Sequence, residues 1–313
     1  MSSHGCRCDE DRREELRQIA SGLGIVRVGF AEAAPVDDEA KEYYRHWIAS
    51  RRHAGMEYME RYSDVRSDPR LLLEGARTVI SCAVAYPAPP VQAPGTLRIA
   101  SYALGRDYHE VVRMMLFELA ARAVDIYGGS VRVCVDTAPI RERYWAVRSG
   151  IGFVGRNNQL IVPGIGSRVF LGEIITTARI PADKPCALGC KGCMACVKAC
   201  PGKALDGLHC VDSMRCLSYL TIEHRGELPA GTSLRGHFYG CDVCQDVCPH
   251  NRVTDDSMVP SDLRPRPGLL TLTAGELSSY TSGDYRRLTS HSAMRRAPLR
   301  QLLRNAGALD ADE

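Results

Sequence analysis

The feature that most restricts this chain is a set of cysteines at fixed spacing. Cys190, Cys193, Cys196 and Cys200, followed by Pro201, spell C-x2-C-x2-C-x3-C-P. In the bacterial ferredoxin-type run of this form, three closely spaced thiolates wrap one 4Fe-4S cube and the fourth ligates a second cube. A second cube needs a second run. Cys241, Cys244 and Cys248 before Pro249 supply it, with Cys216 upstream as its first ligand across an insertion. The ligand exchange then assigns Cys190, Cys193, Cys196 and Cys248 to one cluster and Cys200, Cys216, Cys241 and Cys244 to the other. Pairs of C-x2-C also serve structural zinc, but zinc does not need three cysteines at this spacing and a fourth before proline. The segment therefore predicts two 4Fe-4S clusters and an electron-transfer protein.

The remaining six cysteines of the fourteen, Cys6, Cys8, Cys82, Cys134, Cys186 and Cys210, share no such register. Cys82 and Cys134 sit in apolar strands, where a free thiol behaves as a small hydrophobe. Cys6 and Cys8 read as an exposed terminal pair, and no chemistry is assigned to any of the six. A disulfide framework is not expected. Met1 to Glu15 is polar and lacks the apolar core of a signal peptide, and no run approaches the ~20 apolar residues of a membrane span. A cytoplasmic location and no membrane partner are expected, and in that compartment clustered cysteine means metal.

A net charge of +3 and a pI near 8.2 do not by themselves point to nucleic acid. Arg286, Arg287, Arg295, Arg296, Arg300 and Arg304 lie together near the C-terminus with few acids among them. They form either a phosphate-facing surface or the solvated face of a terminal helix.

A chain of 313 residues accommodates two or three domains, or one large domain with a small insert. Residues 9–21 and 37–52 read as helices, and 25–30 as a short strand. The apolar run Thr78 to Ala85, closed by Tyr86-Pro87, reads as a buried strand. Tyr108 to Tyr127 has helical periodicity and stops at Gly128-Gly129, before a strand at Val131 to Val135. Residues 139–149 look helical and Val169 to Thr176 looks extended. The fold class expected is α+β: a domain over 1–180, the cysteine module over 181–252 after the linker Pro181 to Pro185, and a helical region over 253–313. No G-x-G-x-x-G follows a strand, so a dinucleotide fingerprint is missing.

Several ordered words extend the reading. They are Ser101-Tyr-Ala-Leu-Gly-Arg-Asp-Tyr-His109, Val135-Asp-Thr-Ala-Pro139, Gly150-Ile-Gly-Phe-Val-Gly155, Leu171-Gly-Glu173, Cys216-Leu-Ser-Tyr-Leu-Thr-Ile-Glu223 and Tyr239-Gly-Cys-Asp-Val-Cys-Gln245. Over roughly Leu16 to Gly307 the chain resembles the epoxyqueuosine reductases. The resemblance implies a nitroreductase-like cobalamin-binding domain, a ferredoxin-like module with two clusters, and a helical C-terminal part that helps hold tRNA. It implies reduction of epoxyqueuosine to queuosine at the first anticodon position, with electrons from an external low-potential donor passing through the clusters to cobalt, and a monomeric enzyme.

By the same resemblance Asp136 is the general acid. To donate near neutral pH its pKa is expected to be raised by burial against the cofactor. On local sequence alone, an Asp before Thr and Pro at a strand end reads as a turn or helix cap. Arg66, Leu160, Ser218 and Gln245 match positions that contact cobalamin, and His224 with Arg225 match a stretch that approaches tRNA. Asp107-Tyr108-His109 looks like the start of D-x-H-x-x-G, whose His ligates cobalt, but Val112 stands where the Gly belongs. Base-off cobalamin with no protein His ligand is therefore expected, and His109 is expected to be structural. Arg156, His250 and the short C-terminus depart from the family pattern. Two rivals remain at this stage: a reductive dehalogenase, against which the missing twin-arginine signal counts, and a non-catalytic electron carrier, which would bind no corrinoid.

Overall fold

An eight-residue apolar run with no polar alternation can rest only where both of its faces are covered. Thr78–Ala85 does so, with every residue buried. In the computed structural model, which describes residues 8–251 and 256–310, this run is an interior strand of a four-stranded sheet. With β1 at Arg27–Glu32, β2 at Thr78–Ala85, β3 at Val131–Cys134 and β4 at Val169–Thr176, the order across the sheet is β1-β2-β4-β3. Every adjacent pair is antiparallel, so the alternation of helix and strand along the chain builds a mixed α+β layer and not a parallel crossover sheet. Cys6 lies outside the described residues.

Each face of the sheet has its own cover. Helices α1 (Asp9–Gly22) and α2 (Tyr108–Tyr127) pack Leu16, Ala20, Val112, Leu116 and Leu119 against Phe30, Ile80, Val84 and Ile174. The opposite face takes α3 (Glu142–Arg148), whose Trp145 sits with Ala31, Val79 and Ile175 and whose Ala146 sits with Ala83 and Leu160. The approach of α3 to the edge is close. A Cβ added at Gly29 on β1 would lie 2.0 Å from the Ser149 carbonyl oxygen, so only glycine fits.

The linker after the sheet is clamped to it. Asp183 accepts the Phe30 N–H at 3.0 Å and the Arg17 guanidinium at 2.9 Å, and it also pairs with Arg13. The cysteine module that follows contains only short elements, among them the helices Ala195–Ala199, Leu217–Ile222 and Val243–Asp246. The C-terminal region is a series of short helical segments ending in α4 (Leu299–Asp310). Its Leu277, Met294 and Leu302 share one core with Leu97 and Leu104 from the first region and Phe238 and Tyr239 from the module. Among the described residues no helix is long and apolar enough to cross a membrane.

Candidate active site

Between the sheet and the cysteine module lies a cleft with about 1500 Å³ of empty space, part of it open to solvent. Its cavity volume of about 410 Å³ lies within the roughly 300–1,000 Å³ of a small-molecule site, and the rest of the space is open to solvent. One wall is aromatic: Phe170 stacks on Tyr108 with ring centroids 4.3 Å apart and planes 2° off parallel, and Tyr86 lies 4.7 Å from Phe170. Leu160, Val169 and Leu171 extend the apolar surface.

The thiols divide between two cavities. Cys200, Cys216, Cys241 and Cys244 all line the large cleft. Cys190, Cys193, Cys196 and Cys248 line a second, outer cavity together with Lys191 and His250. Burial and the neighbouring Cys241, Cys216 and Cys200 push the Cys244 thiol well up, and burial with Cys190 and Cys193 raises Cys248. Among the described residues the thiols share cavity walls without being gathered into a single-ion site, and thiolates drawn onto one centre would repel one another unless a cationic core such as an iron cube offset them.

Asp136 stands at the edge of the same cleft. It follows β3 with φ of 51°, a left-handed conformation that a non-glycine residue seldom adopts, and this turns the residue out of the strand. Its N–H donates to Glu142 Oε1 at 2.6 Å, and its Oδ2 meets His109 Nε2 at 2.9 Å. His109 Nδ1 is 2.8 Å from Asp107 Oδ1, so both ring nitrogens are engaged by carboxylates. Neither is free to take a metal.

The protonation of this group differs from the expectation for Asp136. Burial does push its carboxyl up, but the hydrogen bond and charge of His109 outweigh burial and hold it below the ordinary range. Burial pulls His109 down, yet Asp107 and Asp136 more than offset that and raise it to about 9. These opposite shifts place the shared proton on His109. Glu142, which spacing did not single out, also holds a proton: burial and the Asp136 charge raise it to about 8. Behind it on β4, Glu173 is fully buried with neither carboxyl oxygen hydrogen-bonded, and burial plus the Glu142 charge raise it far above the carboxylate range.

The other expected contacts separate. Leu160, Ser218 and Gln245 line the cleft. Gln245 is held there: its Oε1 accepts from Ser167 Oγ at 3.0 Å, and its Nε2 donates to the Tyr86 hydroxyl at 3.0 Å. Arg66 does not line it; its guanidinium is turned to the Tyr58 and Arg61 carbonyls. Arg225 is likewise occupied, by the Arg296 carbonyl at 3.1 Å and by Gln301, and His224 Nε2 meets the Glu227 carbonyl at 2.8 Å. Arg113, Arg295 and Arg296 border a neighbouring depression with His109, Thr137, Asp107 and Glu110. No spacing rule links residue 109 or residues 295–296 to residue 136, and only the tertiary fold joins them.

Comparison with known proteins supplies the family. Residues 66–137 match the family model described as Epoxyqueuosine reductase QueG, DUF1730, and residues 189–251 match that of a 4Fe-4S double cluster binding domain. The chain is similar to the epoxyqueuosine reductase of Cellulophaga algicola, 35% identical over 303 residues covering 95% of this chain and 97% of that one. It is 38% identical to that of Gloeobacter violaceus over 302 residues, covering 93% of each. A crystal structure of an epoxyqueuosine reductase with a tRNA-Tyr epoxyqueuosine-modified tRNA stem loop is similar to it with a TM-score of 0.89 at 28% identity, over 97% of this chain and 82% of that one.

Proposed function

The chain belongs to the epoxyqueuosine reductase family, and from that premise we propose that it reduces epoxyqueuosine to queuosine in the anticodon of tRNA. The enzyme is an oxidoreductase whose segment 189–251 is a two-cluster 4Fe-4S domain. The observation that carries the reading is the sharing of one cleft by Asp136 and the thiols of Cys200, Cys216, Cys241 and Cys244. An acid and an electron source then face the same space.

The cleft fits a base-off cobalamin in a nitroreductase-like domain. Its stacked aromatic wall and its apolar floor suit a flat macrocycle, and both nitrogens of His109 are already bonded. Leu160, Ser218 and Gln245 would hold the group, which when bound supplies a low-potential metal for the carbon–oxygen chemistry. Arg66 is left out of this set, because its guanidinium is spent on the backbone.

The chain's own residues manage protons and place the substrate. Conversion of an epoxide to an alkene consumes two electrons and two protons and releases water. His109 stores a proton next to Asp136, and Asp136, which is 46% exposed at the cleft, relays it to the leaving oxygen. Burial of the neighbouring Glu142 and Glu173 keeps the surroundings poor in negative charge at neutral pH. Arg113 and Arg295 at the adjoining depression, where Arg296 is already paired with Glu223, receive tRNA phosphates, in place of the Arg225 first expected there.

Anaerobic reconstitution with iron, sulfide and cobalamin, followed by reductant and epoxyqueuosine-containing tRNA, tests the proposal by nucleoside mass analysis. Conversion to queuosine is the expected outcome. With both clusters and the corrinoid verified, unchanged epoxyqueuosine would overturn it.

A further inference from the structure

The chain has five lysines, and four of them, Lys184, Lys191, Lys198 and Lys203, fall in residues 184–203. No Asp or Glu lies between Asp183 and Asp206. Everywhere else but at Lys41, basic charge is carried by arginine, much of it tied down, as at Arg17 to Asp183, Arg168 to Asp246 and Arg296 to Glu223. The four lysines are exposed, and among the described residues the one lysine ion pair is that of Lys41 with Asp38.

Their positions follow from the thiol spacing. Lys191 stands between Cys190 and Cys193, and Lys198 between Cys196 and Cys200 on the helix Ala195–Ala199. The outer cavity is lined by Lys191, Arg156 and His250 and by no carboxylate. Beside Cys190, Leu188 is 53% exposed and sets an apolar spot inside the cationic rim. Charge balance for an anionic cluster does not account for the lysines, because the four thiols of the inner cleft have no lysine in their lining. Free, hydrated ammonium groups on flexible stems are suited to steering a transient partner, and electron-transfer encounters are small and short-lived.

We infer that the lysine-rimmed face over Cys190, Cys193 and Cys196 is the docking surface for a small acidic protein that carries low-potential electrons. This rests on the reading of those thiols as ligands of the outer cluster. The reduced carrier gives one electron to the oxidised outer cluster, no bond forms or breaks, and the carrier departs one electron poorer. The outer cluster passes the electron to the inner one, and two encounters supply the two electrons of the reduction.

The test uses the full-length protein with both clusters reconstituted, reduced flavodoxin as the acidic probe, and cluster bleaching followed by stopped flow. In wild type the second-order rate falls as salt rises. The double variant Lys191→Glu with Lys198→Glu lowers it roughly tenfold or more at low salt and removes the salt dependence. Reduction by the small cation methyl viologen is not slowed. A wild-type rate indifferent to salt, or a variant as fast as wild type, overturns the inference. Equal slowing with both reductants also overturns it, by showing that the lysines support the cluster and not the encounter. Because product is never measured, failure of the tRNA reaction is a separate result.

Discussion

The two thiol quartets have the same composition and opposite settings. The outer one comes from a continuous run, Cys190 to Cys196, closed by Cys248, and it sits among exposed residues at the surface. The inner one is collected from three separate segments and opens into a cleft walled by aromatic rings and by the carboxyls of Asp136, Glu142 and the buried Asp242. Local spacing suffices for the first, whereas the second exists only once the sheet, the insertion before Cys216 and the turn at Cys241 have come together. On the proposals above, one quartet meets a partner and the other serves a reaction.

The harshest way to break that contrast is Cys216→Ala. Turnover is expected to vanish while about half of the iron and the outer cluster's spectrum remain. Loss of all iron would show that the quartets form one unit, and unchanged iron would refute the ligand partition. Next comes Asp136→Asn, which should leave both quartets and tRNA affinity intact and lower kcat by roughly 10²–10⁴. In wild type the same step should fail as pH rises through about 9, where His109 gives up its proton. A near wild-type kcat in the variant would remove Asp136 from the acid role.

A smaller effect separates the inner setting from the outer by pH alone. Glu142 titrates near 8 in the fold against 4.5 ordinarily, so the folded chain binds a proton that the unfolded chain releases between those values. Stability contributed by this group is present below pH 4.5 and lost as pH rises toward 8. Glu142→Gln should therefore raise Tm at pH 8 and leave it unchanged near pH 4.5, as read by thermal melts; an equal shift at both pH values would refute the burial argument. The mildest change is Gln245→Ala, in the short helix between an inner and an outer ligand. Losing its bonds to Tyr86 and Ser167 should cost about 1–3 kcal/mol in denaturant unfolding and weaken corrinoid retention.

How much of this was legible follows the same division. β2 and β4 were readable to the residue, because a continuous apolar run bounded by turns leaves little choice. Asp136 was singled out by the family resemblance, since its place at a strand end reads as a cap, and the direction of its pKa shift was not legible. That direction depends on His109, 27 residues away on another element. That Arg66 and Arg225 turn to the backbone was not legible for a related reason: a long guanidinium can satisfy any carbonyl within reach, and sequence does not say which one is near. Thr273 with Glu276 and Thr281 with Asp284 form capping boxes, a signal that could have split the tail into its short helices.

The strand order β1-β2-β4-β3 also bears on how the chain is made. β4 is the last of the four to leave the ribosome, yet it is inserted between two strands synthesised long before it. Until residue 176 emerges, β2 and β3 each keep an unpaired edge, and the nascent chain carries two open templates for aggregation. Synthesis that stalls before Val169 should consequently yield insoluble chains rather than a soluble half-protein. The eight thiols of the two quartets, all of them later than β4, can then meet their iron on a domain whose sheet is already complete.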